Sequence, residues 1–207
     1  MTKTLPPHSA IRPLAVQDVD AIVEVSDKAF PPDQSATREK VLYRLQACPE
    51  LCLGLFIRSY DAKDKAKNSD GEDDQLPHPT TSVISEKLVA VILATKMRSD
   101  LITKGSMGIP EGPDDEENGH KEDGNTVGVH AVCVDPEYQG KSIGSILMND
   151  YVQRISTNGV ASRIALIATD ENAPFYEKLG FTNQGKSDCK YPPGVVWNDL
   201  YFDLSYN

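Results

Sequence analysis

Apolar residues recur along the first part of this chain at spacings that predict one strand and then two helices. The strand is predicted at residues 11–14. Apolar side chains three or four residues apart then predict an amphipathic helix from residue 16 to residue 30, where two consecutive prolines end it. A second helix is predicted at residues 37–47, with Thr37 as its N-cap, and a strand at residues 51–60.

Strands and helices alternate through the rest of the chain. The continuous apolar run LVAVILA within residues 87–97 predicts a strand that is buried on both faces. Further strands are predicted at 126–134, at 163–168, near Phe181 and at 197–204, and further helices at about 142–156 and at 173–179. This alternation is typical of an α/β domain whose helices cover a sheet, and we expect one domain over residues 1–207.

Two polar segments interrupt the pattern, at residues 61–79 and 105–125. Both are rich in Asp, Glu, Gly, Pro and Asn, and neither holds enough apolar surface to offset the entropy lost on ordering. The sequence therefore predicts two flexible, acidic, solvated insertions.

Composition narrows the classes of partner. The formal net charge of −10 argues against nucleic-acid binding, which requires clustered Lys and Arg. The four cysteines lack the spacing of a zinc site or of a disulfide framework, so we expect no metal. No apolar run reaches the ~20 residues of a membrane span, and the first residues lack the apolar centre of a secretion signal. We therefore expect a cytoplasmic monomer that does not contact membranes.

One stretch, VHAVCVDPEYQGKSIGSILM at residues 129–148, carries recognisable chemistry. A β-branched strand ends at Asp135, and a turn with small residues then opens a helix; the turn comprises Gln139, Gly140, Lys141, Ser142, Ile143 and Gly144. Backbone N–H groups and the helix dipole at such a turn favour an anion such as pyrophosphate. An ordinary tight turn could have the same glycines, whereas the GxGxxG and GxxxxGK[ST] motifs are absent.

This stretch resembles the acetyl-CoA motif of the GNAT superfamily, and FYEKLGF at residues 175–181 resembles the signature that follows it there. More narrowly, RLQACPELCLGLFIR, LVAVILATK, VHAVCV and PFYEKLGF resemble the arylalkylamine N-acetyltransferases, including fungal enzymes that acetylate polyamines. The resemblance implies a GNAT fold: a mixed twisted sheet flanked by about four helices, with a splayed strand pair that holds acetyl-CoA.

The resemblance also implies which residues contact the cofactor. The backbone of Val132, Cys133 and Val134 would pair with the pantetheine arm like an added strand, and residues 139–144 would receive the pyrophosphate. Ser142 departs from the glycine that is common in the family. We expect a helix-start conformation there, which tolerates serine.

Acetyl transfer needs a deprotonated amine and a protonated thiolate. The resemblance implies that His130 is the general base, directly or through water, and that Tyr176 is the general acid. The backbone N–H of Val132 would donate to the thioester oxygen. The family has a second histidine on this strand where this chain has Gly128, which leaves the proton path from His130 open.

Four residues match positions that line the family's amine pocket, and core packing is an alternative for each of them: Phe30, Thr95, Ile167 and Trp197. The loop at residues 30–36 is shorter than the family's substrate-covering loop, so polyamines are expected to be used at least as well as arylalkylamines. Asp114, Asp115, Glu116 and Glu117 would lie near the mouth of the site and attract polycations. Acetylation of a protein or peptide, or acyl-CoA binding with little catalysis, are the alternative functions.

Overall fold

A computed structural model describes residues 4–60, 83–190 and 192–204 of the protein. Within them the chain forms a seven-stranded sheet in the order β1-β2-β3-β4-β5-β7-β6. The strands are β1 Ser9–Pro13, β2 Leu53–Tyr60, β3 Val83–Met97, β4 Thr126–Val134, β5 Arg163–Ala168, β6 Thr182–Lys186 and β7 Asn198–Asp203. The helices are α1 Val19–Ala29, α2 Arg38–Ala47, α3 Ile143–Asn158 and α4 Ala173–Glu177. The predicted mixed sheet with about four helices is confirmed.

Local signals place the first two helices as the sequence predicts. The apolar pattern that begins at residue 16 starts as a 3-10 turn, Val16–Asp18, before α1 continues it. Phe30 adopts an extended conformation and ends α1 in front of the prolines. Thr37 caps α2, since its side chain accepts a hydrogen bond from the Lys40 N–H at 3.3 Å.

The central strand β3 divides the core into two apolar layers. Every residue of the LVAVILA run is at most 5% exposed, which confirms the strand buried on both faces. One layer packs β3 against α3, through residues such as Leu147 and Tyr151, and the other packs it against α1 and α2, through residues such as Ile22 and Leu45. Each fully buried side chain of this kind contributes about 1.5–3 kcal/mol, so this sandwich fixes the helices on the sheet.

Strands β4 and β5 run parallel and then part. Their pairing extends from Thr126 with Arg163 to Val129 with Leu166. Beyond that point β4 stays paired with β3 as far as Val134, while β5 stays paired with β7 as far as Ala168. The sheet therefore opens between the carboxyl ends of β4 and β5. These two strands form the splayed pair that the resemblance implied.

A β-bulge lies where the two strands begin to part. Leu93 pairs with Ala131 and Ala94 pairs with Val129, so His130 is an extra residue on β4. The side chains that face α3 are accordingly Val129 and then Val132, three residues apart rather than two. Such bulges re-aim side chains next to binding sites.

The acidic segment at residues 105–125 makes specific contacts that its composition did not predict. Asp115 accepts hydrogen bonds from the backbone N–H groups of Glu111, Glu117 and Asn118 and from the Asn118 amide. Arg98 forms ion pairs with Glu116 and with Asp123. The segment is thus a hydrogen-bonded loop, and its flexibility stays a prediction. The predicted insertion at residues 61–79 lies outside the described residues.

Ser142 differs from its prediction. Instead of a helix-start conformation it adopts φ 62° and ψ 11°, the left-handed region, and its side chain makes no capping hydrogen bond. A left-handed residue with a side chain costs about 1–2 kcal/mol because Cβ crowds the following carbonyl. Serine therefore stands at a position where the fold favours glycine.

Replacing Ser142 by glycine should stabilise the protein. The relief of about 1–2 kcal/mol exceeds the additional entropy that glycine loses on folding, about 0.5–1 kcal/mol, so Ser142→Gly should raise the free energy of unfolding by roughly 0.5–1 kcal/mol. Denaturant unfolding measures the change. Ser145→Gly, in the first turn of α3, is the matched control and should lower stability; equal losses in both variants would contradict the argument.

Candidate active site

A cavity of about 740 Å³ lies in the opening between β4 and β5 and continues to the loop between α1 and α2 and to the start of α3. Thirteen of the fifteen sequence-predicted site residues line it, and the exceptions are Thr95 and Lys141. The thirteen are Phe30, His130, Val132, Cys133, Val134, Gln139, Gly140, Ser142, Ile143, Gly144, Ile167, Tyr176 and Trp197. The fold therefore gathers residues from both halves of the chain around one space.

Backbone groups of β4 are exposed on the side that β5 has left. The Asp135 N–H donates to the Val89 carbonyl at 2.9 Å. Hydrogen-bonded and non-hydrogen-bonded pairs alternate in an antiparallel ladder, so the pairs that contain Val132 and Val134 are not bonded to β3. Their N–H and C=O groups point into the opening, where the Val134 carbonyl accepts from the Gln139 side chain at 3.0 Å.

Cys133 differs from its prediction for the same reason. The alternation turns its backbone N–H and C=O toward β3, so they are not available to a ligand. Its thiol is 3.5 Å from the Ser26 hydroxyl in the core, and burial raises its pKa to about 12. Cys133 therefore contributes only surface to the cavity wall.

The turn before α3 presents a row of free donors. Among the described residues no acceptor binds the backbone N–H groups of residues 140–145, and Gly140 holds the turn with φ 73°. A Cβ on Gly144 would lie 3.4 Å from Val134 and 3.5 Å from Phe175, so the helix start packs closely on the cavity wall. Together with the dipole of the 16-residue helix, these donors are arranged as an anion would require.

The side chain of Lys141 does not line the cavity, whereas the prediction for the turn concerns its backbone N–H groups. Its ammonium donates to the Glu137 carbonyl at 2.9 Å and lies 4.9 Å from the centre of the Tyr138 ring. The side chain therefore lies on the outside of the turn, and only the backbone N–H of Lys141 is available to an anion.

His130 is held by Thr95. The Thr95 hydroxyl lies 2.7 Å from Nε2 of His130, and Thr95 is 1% exposed. Nδ1 is closed to solvent and has no partner among the described residues. Burial, assisted by the positive charges of Arg44 and Lys40, lowers the pKa of His130 well below its usual value. The imidazole is therefore neutral at physiological pH, and Thr95, predicted to touch the amine, instead orients it.

Tyr176 lies on α4 at the opposite wall of the cavity. Its ring makes edge contacts with Phe175 and Phe181, at centroid distances of 4.9 and 5.9 Å. Burial raises the pKa of the phenol, and the neighbouring Cys133 adds to the rise. The hydroxyl therefore stays protonated and can only donate a proton.

Part of the cavity wall is apolar. Phe30, Ile167 and Trp197 line the cavity together with Met107 of the acidic segment, and contact of the first three with the amine stays a prediction. The sequence pattern does not identify Met107, because it lies in the segment at residues 105–125 that is predicted to be a solvated loop. This wall suits the hydrocarbon part of a small ligand.

Arg44 is a second residue that sequence reasoning missed. It lines the cavity from α2 and is 3% exposed, and its side chain forms no hydrogen bond or ion pair with any described residue. Burial lowers the pKa of its guanidinium to about 10, so it remains charged at neutral pH. The available signal was its place on the inward stripe of α2, between the buried Val41 and Leu45.

The four carboxylates expected near the mouth of the site do not line the cavity; they are Asp114, Asp115, Glu116 and Glu117. The Asp115 carboxylate accepts hydrogen bonds from N–H groups of its own loop, which lower the pKa of the carboxyl. Glu116 forms an ion pair with Arg98. Two of the four carboxylates are thus engaged within the protein, and attraction of a polycation by this loop stays a prediction.

Among the helices of the described residues, none is long and apolar enough to cross a membrane. In the same residues, no group of three or more His, Cys, Asp or Glu side chains is arranged to hold a metal ion.

Comparison with known proteins agrees with this architecture. Residues 86–192 match the family model described as "Acetyltransferase (GNAT) domain". The serotonin N-acetyltransferase of Mesocricetus auratus is 24% identical over 182 residues, which cover 86% of this chain and 70% of that protein.

Two solved structures share the fold. The loading GNATL domain of CurA from Lyngbya majuscula superposes with a TM-score of 0.67 at 14% identity, covering 95% of this chain and 98% of that one. The PaiA N-acetyltransferase from Thermoplasma acidophilum, solved with coenzyme A, gives a TM-score of 0.56 at 15% identity, covering 94% and 98%. The predicted GNAT fold is confirmed, and the chain belongs to the GNAT acetyltransferase family, which carries out acetyl-CoA-dependent acyl transfer.

Proposed function

We propose that this protein transfers acetyl from acetyl-CoA to the primary amine of a small molecule, by direct attack within a ternary complex. One observation carries the proposal: a single cavity is lined by the turn with the free N–H row of residues 140–145, by the apolar side chains of Phe30 and Ile167, and by His130 and Tyr176. An anionic cofactor and an apolar amine can therefore meet without leaving the cavity. A cytoplasmic location and a monomeric state remain our predictions.

The cavity fits acetyl-CoA, which supplies the acetyl thioester. The N–H groups of residues 140–145 would hold the pyrophosphate. The N–H and C=O groups that Val132 and Val134 direct into the opening would pair with the amide-containing pantetheine arm. The Val132 N–H is also the donor that we assign to the thioester oxygen.

His130 is the proton acceptor that we propose for the amine. Its lowered pKa keeps the ring neutral and able to accept, but it also makes the protonated ring short-lived, so the proton must pass on to solvent. The nearby charge of Arg44 works in the same direction, because a cation favours the neutral form of the amine. Deprotonation thus depends on the cationic surroundings as well as on the base.

Of the two amine classes predicted from the sequence, the cavity favours arylalkylamines over polyamines. Phe30 and Trp197 offer aromatic surface to a ring. The buried charge of Arg44 would repel the second ammonium of a polyamine, while the acidic groups of the cavity, Asp33 and Glu171, are exposed at its rim. This reverses the order expected from the short loop at residues 30–36.

An assay of coenzyme A thiol release from acetyl-CoA tests the proposal, with 2-phenylethylamine, tryptamine, spermine and short peptides as acceptors. We expect arylalkylamines to be acetylated with the highest kcat/KM, and mass spectrometry to find the product N-acetylated. Turnover of peptides alone would identify the alternative function, and acetyl-CoA binding without turnover of any acceptor would identify a binding module.

Tyr176→Phe should lower kcat while acetyl-CoA affinity stays nearly unchanged, because only the departing thiolate needs the phenolic proton. General acid catalysis contributes ~10²–10⁴-fold, which sets the expected loss. Steady-state kinetics and calorimetry measure the two quantities. Tyr201→Phe, whose ring stacks on Arg163 outside the cavity, is the control. An unchanged kcat where the chemical step limits the rate would remove Tyr176 from the mechanism.

The lowered pKa of His130 predicts a dependence of stability on pH. In the unfolded chain the imidazole gains a proton below about pH 6.5, while the native ring stays neutral, so stability falls as the pH falls through that value. The contribution of this group between pH 6.5 and 5.5 is about 1 kcal/mol. His130→Gln should lose that slope, which denaturant unfolding at several pH values measures. Parallel curves for both proteins would show that His130 is not held neutral.

A further inference from the structure

Arg44 is a buried cation without a counter-charge in the described part of the chain. It is 3% exposed, its Nη1 is closed to solvent without a hydrogen-bond partner, and no described carboxylate forms an ion pair with it. The neighbouring thiols of Cys48 and Cys52 offer no negative charge, because burial raises the pKa of both. Within residues 4–60, 83–190 and 192–204, nothing therefore pairs with Nη1 of the guanidinium.

An unpaired buried charge lowers the stability of the folded protein, so stability does not account for an arginine at this position. A guanidinium has five N–H donors in a planar fork that matches a carboxylate or phosphate, and a buried charge is normally paired. Methionine or leucine would fill the same inward position of α2 without that penalty. A group that enters the cavity is the partner that the structure lacks.

The distribution of charge indicates the sign of that group. Asp33 and Glu171 lie on the exposed rim of the cavity, whereas Arg44 lies at its buried end, on the side of His130. The acceptor amine has to reach His130, so the rest of its skeleton extends past that residue toward Arg44 or the aromatic wall. An anionic oxygen on the skeleton would pair with the guanidinium of Arg44, whereas the guanidinium would repel a second ammonium.

We propose that Arg44 binds an anionic oxygen group carried by the acceptor amine, so that the preferred substrates are amines that also bear a carboxylate or a similar acid. This deepens the proposed function and rests on it. The bidentate fit distinguishes Arg44 from a general positive potential, because only a planar fork pairs with both oxygens of a carboxylate.

Two sets of acceptor amines test the proposal, and within each set the skeleton is the same and only the group at the far end differs. The aliphatic set is 4-aminobutyrate, butylamine and putrescine, which end in a carboxylate, a methyl and an ammonium. The aromatic set is 4-(2-aminoethyl)benzoate, tyramine and 2-phenylethylamine, which end in a carboxylate, a neutral hydroxyl and a hydrogen. We expect the carboxylate to give the highest kcat/KM in at least one set, by roughly 10- to 150-fold over the neutral amine, as for a hydrogen bond to a charged group. The set that shows the preference identifies the skeleton.

Three variants assign the preference to Arg44. Arg44→Met keeps the apolar stem and should abolish the preference while raising the relative rate of putrescine. Arg44→Lys keeps the charge without the fork and should retain only part of the preference. Arg38→Met makes the same charge change on the exposed face of α2, where Arg38 pairs with Asp20, and should leave the order of substrates unchanged.

Two further measurements separate this proposal from a structural role and from the proposed function. Arg44→Met should melt at the same temperature as the wild type or higher, because it removes an unpaired buried charge; a large loss would indicate a structural role and overturn the proposal. Calorimetric binding of the same amines to the coenzyme A complex tests the order without turnover. If the carboxylate is bound best but nothing is acetylated, the proposed function fails and the Arg44 assignment stands. If all amines bind or react equally, or diamines lead, the Arg44 assignment fails.

Discussion

The parting of β4 from β5 is the constraint on which the rest of the site depends. Each strand is held by its other neighbour, β4 by β3 and β5 by β7, so neither can close the gap beyond Val129 and Leu166. Val132 and Val134 therefore keep backbone groups that face the opening without a strand partner, although the Val134 carbonyl accepts from the Gln139 side chain. A ligand that lies in the opening can pair with the remaining groups like an added strand. The bulge at His130 lies at the fork itself, so the same irregularity that accompanies the opening also aims the imidazole into it.

The electrostatics of the cavity follow from its depth. Burial keeps the imidazole of His130 and the phenol of Tyr176 neutral, which suits one to accept and the other to donate a proton. The buried Arg44 is the exception, because a guanidinium with a pKa of about 10 stays charged at neutral pH. A cavity with a cation at its buried end and carboxylates at its rim binds a free amine in preference to an ammonium near that end. The deprotonation that acetyl transfer requires is thereby made easier before any base acts.

The turn before α3 combines left-handed backbone conformations with unpaired backbone N–H groups. Gly140 and Ser142 both adopt left-handed conformations, and the N–H groups of residues 140–145 are left without acceptors among the described residues. Left-handed residues of this kind cluster at ligand sites, where the surrounding structure holds them in place. A bound anion would accept hydrogen bonds from these N–H groups.

The sequence by itself determined the order of the elements, the doubly buried strand β3, the N-cap at Thr37 and the position of the turn at residues 139–144. These depend on short-range periodicity and on local chemistry, which neighbouring residues encode. Only the tertiary structure decided that Thr95 orients His130, because the two lie 35 residues apart and meet through strand register. The same holds for the backbone direction of Cys133, which the ladder of β3 and β4 sets, for the left-handed turn at Ser142, and for the isolation of Arg44. Register and burial arise from contacts between distant segments, and no local pattern in the chain specifies them.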